Sequence, residues 1–532
     1  MSSVFTIKIV GPAGAGIKSG GLLLSRILLS HGQHLIDYSE YPSLVRGGHN
    51  TYQVSFSHAA VSSIHFQLNL LISLETSHWQ LHKSELTKKS LVFGPDAPLV
   101  LPFSDLVKPL GGSIYTNTVA LGVIAYCFGL NPSICHSEII NTFSLDSPNL
   151  TAFDAGFEYA QNNFVQYQNI FTIKHNKPLK KALIVDGSEA FGYGFLAGNG
   201  NFYAAYPMTP STGLLHFLAQ KQLTHSITVL HPEDEISSAS LAVGAAFAGA
   251  RAAVGTSGGG FALMNETISF CGVANLGVVF YLASRPGPAT GLPTWTAQGD
   301  LLHAVFSGHG EFNKIVLTPG THVESYHAAI DALNLAARFD VPVIVLTDKL
   351  LAESSASFTP PTYIPKVIRT PRHLPGSNDS FYMANSYEHD QNGFSIEDAS
   401  LVKKVVTTRL SLSKKILKYL PKPTFYGSDQ AKTLVLTWGS TKMAVLEALN
   451  MLKNPSKIGL LHFPSLWPIN PNWSLMLKPF KNILVIENNA TSQLSTLLST
   501  AFPFKPTSTL LNFDGRPIYP EQVVKYLKPY VS

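Results

Sequence analysis

Apolar and polar positions alternate along the chain in the manner of an α/β protein: short runs of branched residues, glycine- or proline-marked turns, then helical stretches. Residues 4–10 (VFTIKIV) read as a strand that enters the turn Gly11-Pro12-Ala13-Gly14-Ala15-Gly16 and continues into a helix over residues 17–30. A second strand, residues 51–57, follows Arg46-Gly47-Gly48-His49-Asn50. The polar stretch 161–181 has the look of a linker, after which a new βα series opens at residues 182–185 and runs to 342–348 (PVIVLTD), a buried parallel strand by composition. Between 359 and 432 the pattern becomes irregular and proline-rich, with one helix-like run near 399–420. A third α/β unit begins at 433–438 (TLVLTW), with Gly439-Ser440-Thr441 capping a helix, and a later strand at 483–487 leads into Asn488-Asn489. No repeat of 20–50 residues is visible.

Composition narrows the class. A chain of 532 residues corresponds to about three domains at roughly 150 residues each. Apolar residues make up 45% and charged residues 13%, enough for large cores and too little charge for a disordered chain or coiled coil. The 38 basic and 33 acidic residues are mixed along the sequence, and no Lys/Arg stripe of the kind that binds nucleic acid stands out. Cys127, Cys135 and Cys271 are far apart and lack CxxC spacing, so they neither build a four-thiolate iron–sulfur cluster nor suggest a disulfide framework. Residues 1–10 lack the features of a signal peptide, and the longest apolar run falls short of the ~20 residues that span a bilayer. A cytoplasmic protein without membrane or nucleic-acid partners is expected.

Four segments of the middle unit carry candidate chemistry. Outside that unit, in the N-terminal glycine turn 11–16, backbone amides at a helix N-terminus suit an anion, but tight helix–strand packing explains the same residues. His231-Pro232-Glu233-Asp234-Glu235 precedes a small-residue helix near 236–248; acids there complement the helix dipole, yet three exceed what a cap requires. Gly255-Thr256-Ser257-Gly258-Gly259-Gly260 reads as a glycine-rich turn, and Tyr206-Pro207-Met208-Thr209-Pro210-Ser211 as a rigid one. Arg285 sits in a Pro/Gly-rich loop ending at Thr294, after an apolar strand, where a planar guanidinium suits a carboxylate.

Together these segments resemble the 2-oxoacid:ferredoxin oxidoreductases. Tyr206-Pro207-Met208-Thr209-Pro210 is similar to that family's YPITP motif, and residues 285–294 to its GPSTGLPT loop, with Ala289 for Ser. Glu233-Asp234-Glu235-Ile236, Ala248-Gly249-Ala250-Arg251, Thr256-Ser257-Gly258, Gln298-Gly299-Asp300, Gly308-His309-Gly310-Glu311, Tyr387-Glu388-His389-Asp390 and Asp514-Gly515-Arg516-Pro517 follow in family order. The N-terminal unit resembles the γ subunit, with Ala13 where its GxGGxG pattern has Gly and Ala15 where Gln is common; Ser188 replaces Asn and Gly259 replaces Pro further on.

The resemblance implies a fused γ–α subunit of α/β class with three parallel-sheet domains. These would be a γ-type domain (1–175), a thiamine-diphosphate pyrimidine-binding domain (176–365), an irregular connection (366–428) and a transketolase C-terminal-like domain (429–532). It implies oxidative decarboxylation of a 2-oxoacid with CoA, giving acyl-CoA, CO₂ and reduced ferredoxin. No GDG motif with its following Asn occurs, so Mg²⁺, the diphosphate site and a 4Fe-4S cluster are expected on a β subunit that shares the active site. Glu235, nine positions before Gly244, takes the place of the catalytic Glu that bonds the cofactor's pyrimidine. Thr209, Arg285 and Thr294 would hold the substrate; Tyr206, Pro207, Thr256, Ser257 and Gly258 would line the cofactor pocket. Gly11, Gly14, Gly16 and Arg46 form a ligand loop if the γ-type domain binds one, and this chain holds no metal. His231, His303, His309 and His389 are mostly structural, because the cofactor carries the proton chemistry. Two rivals stand beside this reading. One is a dinucleotide-dependent dehydrogenase using the loop at 11–16, with Asp37 or Glu40 as its ribose-binding acid; the other is a degenerate, non-catalytic subunit.

Overall fold

The computed structural model describes residues 4–42, 48–174, 179, 181–361, 366–368 and 383–531. Its strands form three sheets, and the chain divides into two compact units: residues 1–185 with 354–360 and 519–522, and the remainder.

In the first unit, an eight-stranded sheet runs Leu99–Val100, Leu86–Gly94, Leu68–Ser73, Phe5–Pro12, His49–Ser57, His34–Glu40, Ser355–Phe358, Leu183–Asp186. This sheet is mixed, not wholly parallel. Phe5–Pro12 pairs in parallel with Leu68–Ser73 on one side but antiparallel with His49–Ser57 on the other, in register from Phe5↔Phe56 to Pro12↔His49. The strand after the first helix, Ile17–Ser30, therefore does not lie beside Phe5–Pro12, as a dinucleotide-binding βαβ unit requires.

Asp37, the rival's acid, is buried inside His34–Glu40 and accepts hydrogen bonds from the Ser355 backbone N–H at 2.8 Å and from Tyr52. Burial pushes its carboxyl up to about 6, and its oxygens are occupied within the core. The dehydrogenase reading fails on this topology.

The expected linker also needs correcting in part. Phe171 and Ile173 are buried, and the Phe171 ring stacks on Phe128 with centroids 4.7 Å apart. Two apolar anchors tie a polar segment to the core, which its average composition hides.

The second unit holds the other two sheets. One runs Ser465–Trp467, Ile315–Leu317, Val343–Asp348, Val279–Ser284, Ala252–Thr256, Phe202–Ala204, Thr228–Leu230, parallel except at Ser465–Trp467. The other runs Thr424–Tyr426, Ile458–Phe463, Thr433–Trp438, Asn482–Glu487, Ser508–Leu511, parallel except at its first strand. A single apolar cluster spans both, including Phe280, Leu346, Trp438 and Phe463.

Gln298 joins the two sheets by hydrogen bonds. Its amide donates to Trp438 O at 3.0 Å and accepts from Thr441 Oγ1 at 2.7 Å and Asn488 N at 3.0 Å. Ser440, at the start of the helix Thr441–Met451, donates its hydroxyl to buried Asp348 at 2.6 Å instead of capping its own helix. Among the described residues, no single helix is long and apolar enough to cross a membrane.

His462 on Ile458–Phe463 is fully buried with neither ring nitrogen hydrogen-bonded, beside the Glu324–Lys442 ion pair. Burial lowers its pKa to about 4, outweighing the pull of Glu324. Because the folded value lies below the unfolded ~6.5, the neutral ring's contribution is complete above that pH and is lost as pH falls toward 4, by about 3 kcal/mol. Melting curves from pH 7 to 4 should show this loss, and His462→Leu should flatten it. An equal slope in the variant would assign the acid lability to other groups.

Candidate active site

Four neighbouring parallel strands of the second unit deliver all four candidate segments to one edge. Tyr206–Ser211 follows Phe202–Ala204, His231–Glu235 follows Thr228–Leu230, Ser257–Gly260 follows Ala252–Thr256, and Arg285–Thr294 follows Val279–Ser284. This is the carboxyl edge, where ligands of α/β sheets bind.

The three acids separate by role. Asp234 is the N-cap of the helix Glu235–Phe247 and accepts from Ser237 N at 2.7 Å. Glu233 accepts from Ser237 Oγ at 2.7 Å. These bonds hold both carboxyls below their usual range. Glu235 takes no part in the cap: it is 5% exposed, and its Oε1 is buried without a hydrogen-bond partner.

Its carboxyl lies over Gly260, where a Cβ would come within 2.6 Å of Glu235 Cγ and also strike Thr256 Oγ1. Only a residue without a side chain leaves room there. The expected glycine turn is shorter than the sequence suggests: the strand continues through Thr256, and Gly258, Gly259 and Gly260 already form the first turn of the helix Gly258–Leu263. Nothing lies within 4 Å of a Cβ at Gly259, a position in the first helical turn that also suits the family's proline.

The other segments close around this point. Thr256 Oγ1 is 3.9 Å from Met208 Sδ, and the next residue, Thr209, accepts a hydrogen bond from Arg285 Nη1 at 2.7 Å through its carbonyl. Arg285 is half-buried; burial lowers its pKa while Asp300 opposes that shift. Ser257 Oγ and Thr294 Oγ1 are buried hydroxyls with no partner. Such orphans are unusual in a finished core and are what a ligand pocket leaves open.

Tyr206 is 39% exposed, its ring edge-on to His231, with Pro207 half-buried beside it. Gly258 lets the Asp300 carboxyl approach to 2.9 Å of where its Cβ would be. Asp300 accepts from Ser284 Oγ at 2.6 Å, and burial raises its pKa. The reading of single residues passed over this acid; the signal was Gly299-Asp300, following directly on Gln298.

Among the four histidines, His303 is the one placed near Asp300, with a buried, unpartnered Nε2. His231 and His309 are exposed.

In the first unit, Gly11 still belongs to the paired strand, opposite Asn50, and Gly14 and Gly16 both have positive φ. At Gly16 the Asn117 amide occupies the place of a Cβ, 2.5 Å away, and donates to the Gly16 carbonyl at 3.0 Å. Gly16 thus serves local packing. Nothing lies within 4 Å of a Cβ at Gly14. Arg46 lies outside the described residues.

The chain is similar to several known proteins. A family model described as pyruvate flavodoxin/ferredoxin oxidoreductase, thiamine diphosphate-binding, matches residues 193–401, and one described as pyruvate ferredoxin/flavodoxin oxidoreductase matches residues 6–159. The chain is 27% identical to 2-oxoacid:ferredoxin oxidoreductase 2, subunit alpha, of Aeropyrum pernix, over 97% of this chain and 96% of that one. It is 31% identical to 2-oxoglutarate synthase subunit KorA of Archaeoglobus fulgidus, over 54% of this chain and 81% of that one. The solved 2-oxoglutarate:ferredoxin oxidoreductase of Magnetococcus marinus, with 2-oxoglutarate, coenzyme A and succinyl-CoA bound, shares the fold. Its TM-score is 0.92, at 23% identity and full coverage of both chains.

These matches define a subunit of a thiamine-diphosphate-type oxidoreductase. The chain belongs to the 2-oxoacid:ferredoxin oxidoreductase family, as an α subunit with a γ-type region fused at its N-terminus, and works with subunit partners.

Proposed function

We propose that this chain supplies one half of a shared active site for CoA-dependent oxidative decarboxylation of a 2-oxoacid, the other half coming from a β subunit, with ferredoxin as electron acceptor. The observation that carries the reading is Glu235: a buried carboxyl released from helix capping, its Oε1 without a hydrogen-bond partner, packed over a glycine whose missing side chain makes room for the carboxyl itself. An unpaired buried carboxyl oxygen is costly unless a ligand completes it. A pyrimidine ring nitrogen of thiamine diphosphate fits that requirement, with Thr256, Ser257, Gly258, Tyr206 and Pro207 as the surrounding wall.

When bound, thiamine diphosphate supplies the electron sink that allows a 2-oxoacid to lose CO₂. The chain's own residues position and exchange protons. Glu235 Oε1 would hold the ring nitrogen and share a proton with it, and its burial would keep water from that bond. Arg285 spends one N–H on Thr209 O, which fixes the guanidinium plane and leaves its other N–H groups for the substrate carboxylate. Thr294 Oγ1 offers a further donor.

The division between subunits is testable on the chain alone. All three cysteines are buried, and burial pushes the Cys127 and Cys135 thiols up to about 12. The purified chain should be colourless and inactive. The complex purified with its β subunit should reduce ferredoxin or a viologen dye on addition of a 2-oxoacid and CoA. Stoichiometric iron and sulfide in the single chain, or decarboxylation without a partner, would sink the proposal.

A further inference from the structure

Bases and acids are mixed over most of the sequence, but one stretch departs from this, and folding turns its lysines to a single face. Between residues 399 and 422 there are seven bases and no acid. Without this stretch the chain has 31 bases against 33 acids, so its net charge of +5 becomes −2.

The helix Ala399–Ile416 and the turn after it organise the excess. Ile416 and Leu420 lie in the core of the second unit, with Leu412 packed against it. The opposite face, at spacings of three and four, reads Ser400, Lys403, Lys404, Thr407, Thr408, Ser411, Lys414, Lys415, Lys418, and every one of these is exposed. At 1.5 Å per residue, Lys403 to Lys418 spans roughly 22 Å.

Arg409 lies off this stripe and pairs with Glu388 at 2.8 and 2.6 Å. Among the described residues, none of the five lysines makes an ion pair.

We propose that this lysine stripe docks the acidic surface of the protein that accepts the enzyme's electrons; the inference rests on ferredoxin being that acceptor. An iron–sulfur protein carries its cluster on cysteine thiolates, so the redox centre itself is anionic. An acceptor must arrive and leave at every turnover, and its encounters are small and transient. Lysines on flexible stems, spaced by hydroxyls, attract an acidic partner from a distance without locking it in place.

The stripe's composition argues against other polyanions. It holds no arginine to fork onto phosphate, and the one exposed ring of this stretch, Tyr419, is already engaged by the Arg338 guanidinium and by Phe339. Leu401 and Leu410 are the exposed apolar residues on this helix, too few for insertion into a bilayer.

The test uses the assembled complex, wild type and a Lys403/Lys404/Lys414/Lys415/Lys418→Gln variant, with a purified acidic [4Fe-4S] ferredoxin and, separately, methyl viologen. At low salt the variant's KM for ferredoxin should rise about 10-fold or more, and the difference should shrink below about 2-fold near 0.5 M salt, while the dye rate stays unchanged.

An unchanged ferredoxin KM would overturn the docking surface. So would an equal loss with the dye, which signals general damage, or loss of binding to single-stranded DNA or phosphatidylserine vesicles with ferredoxin kinetics intact. A wild-type complex that reduces the dye but no ferredoxin would instead sink the acceptor reading, and this inference with it.

Discussion

Replacing Glu235 by alanine in the assembled enzyme is expected to lower turnover by about 10²–10⁴-fold, the usual worth of a positioned acid–base group. The physical basis is the separation of roles among three adjacent acids. Glu233 and Asp234 are bonded to Ser237 at the helix start, whereas Glu235 is buried with an open oxygen. Glu233→Ala should therefore leave turnover nearly intact. Asp234→Ala should act on stability, at about 1 kcal/mol for loss of a cap. Thiamine diphosphate should still bind to the Glu235→Ala complex, since its diphosphate is expected to be held by the β subunit. Single-turnover decarboxylation, measured beside cofactor binding, checks both parts. Near-normal rates for Glu235→Ala, or a larger loss for Glu233→Ala, would show that the role lies elsewhere.

Arg285→Ala should raise KM for the 2-oxoacid by roughly 10- to 150-fold, the equivalent of about 1.5–3 kcal/mol for a charge-assisted contact. Arg285→Lys should recover only part of this, because an ammonium cannot reproduce the planar fork. The C1 carboxylate leaves as CO₂, so the contact acts before decarboxylation and KM for CoA should barely move. Arg285 also holds its own loop to Thr209 through Nη1, which gives a purely structural role a clear signature. Steady-state kinetics beside a melting curve distinguish the two. A lowered melting temperature with an unchanged 2-oxoacid KM would assign Arg285 to the loop alone.

Much of this protein is legible in its sequence because the relevant signals are local. Strand-to-turn-to-helix transitions at 4–30 and 433–451 rest on neighbouring residues, and those elements form as Phe5–Pro12, Ile17–Ser30, Thr433–Trp438 and Thr441–Met451. Short motifs at 206–210, 233–236, 256–258 and 285–294 marked the candidate site for the same reason: each is a contiguous loop after a strand. Their convergence follows once the strands are parallel neighbours.

Other features depend on which distant residues meet. Sequence could not tell that His49–Ser57 would take the place beside Phe5–Pro12, since pairing is decided by long-range register, and that pairing removes the dinucleotide reading. The nine-residue spacing to Gly244 singles out Glu235 through the family resemblance, but its burial over Gly260 comes from a packed helix and not from the acids themselves. The Asp300–Ser284 bond, the anchoring of Phe171 on Phe128 and the place of Asn117 against Gly16 are likewise contacts between remote segments. The lysine stripe shows the same limit in charge: in sequence its lysines are interrupted by valine, leucine and isoleucine. Helical periodicity together with an apolar core turns those residues away and leaves one basic face.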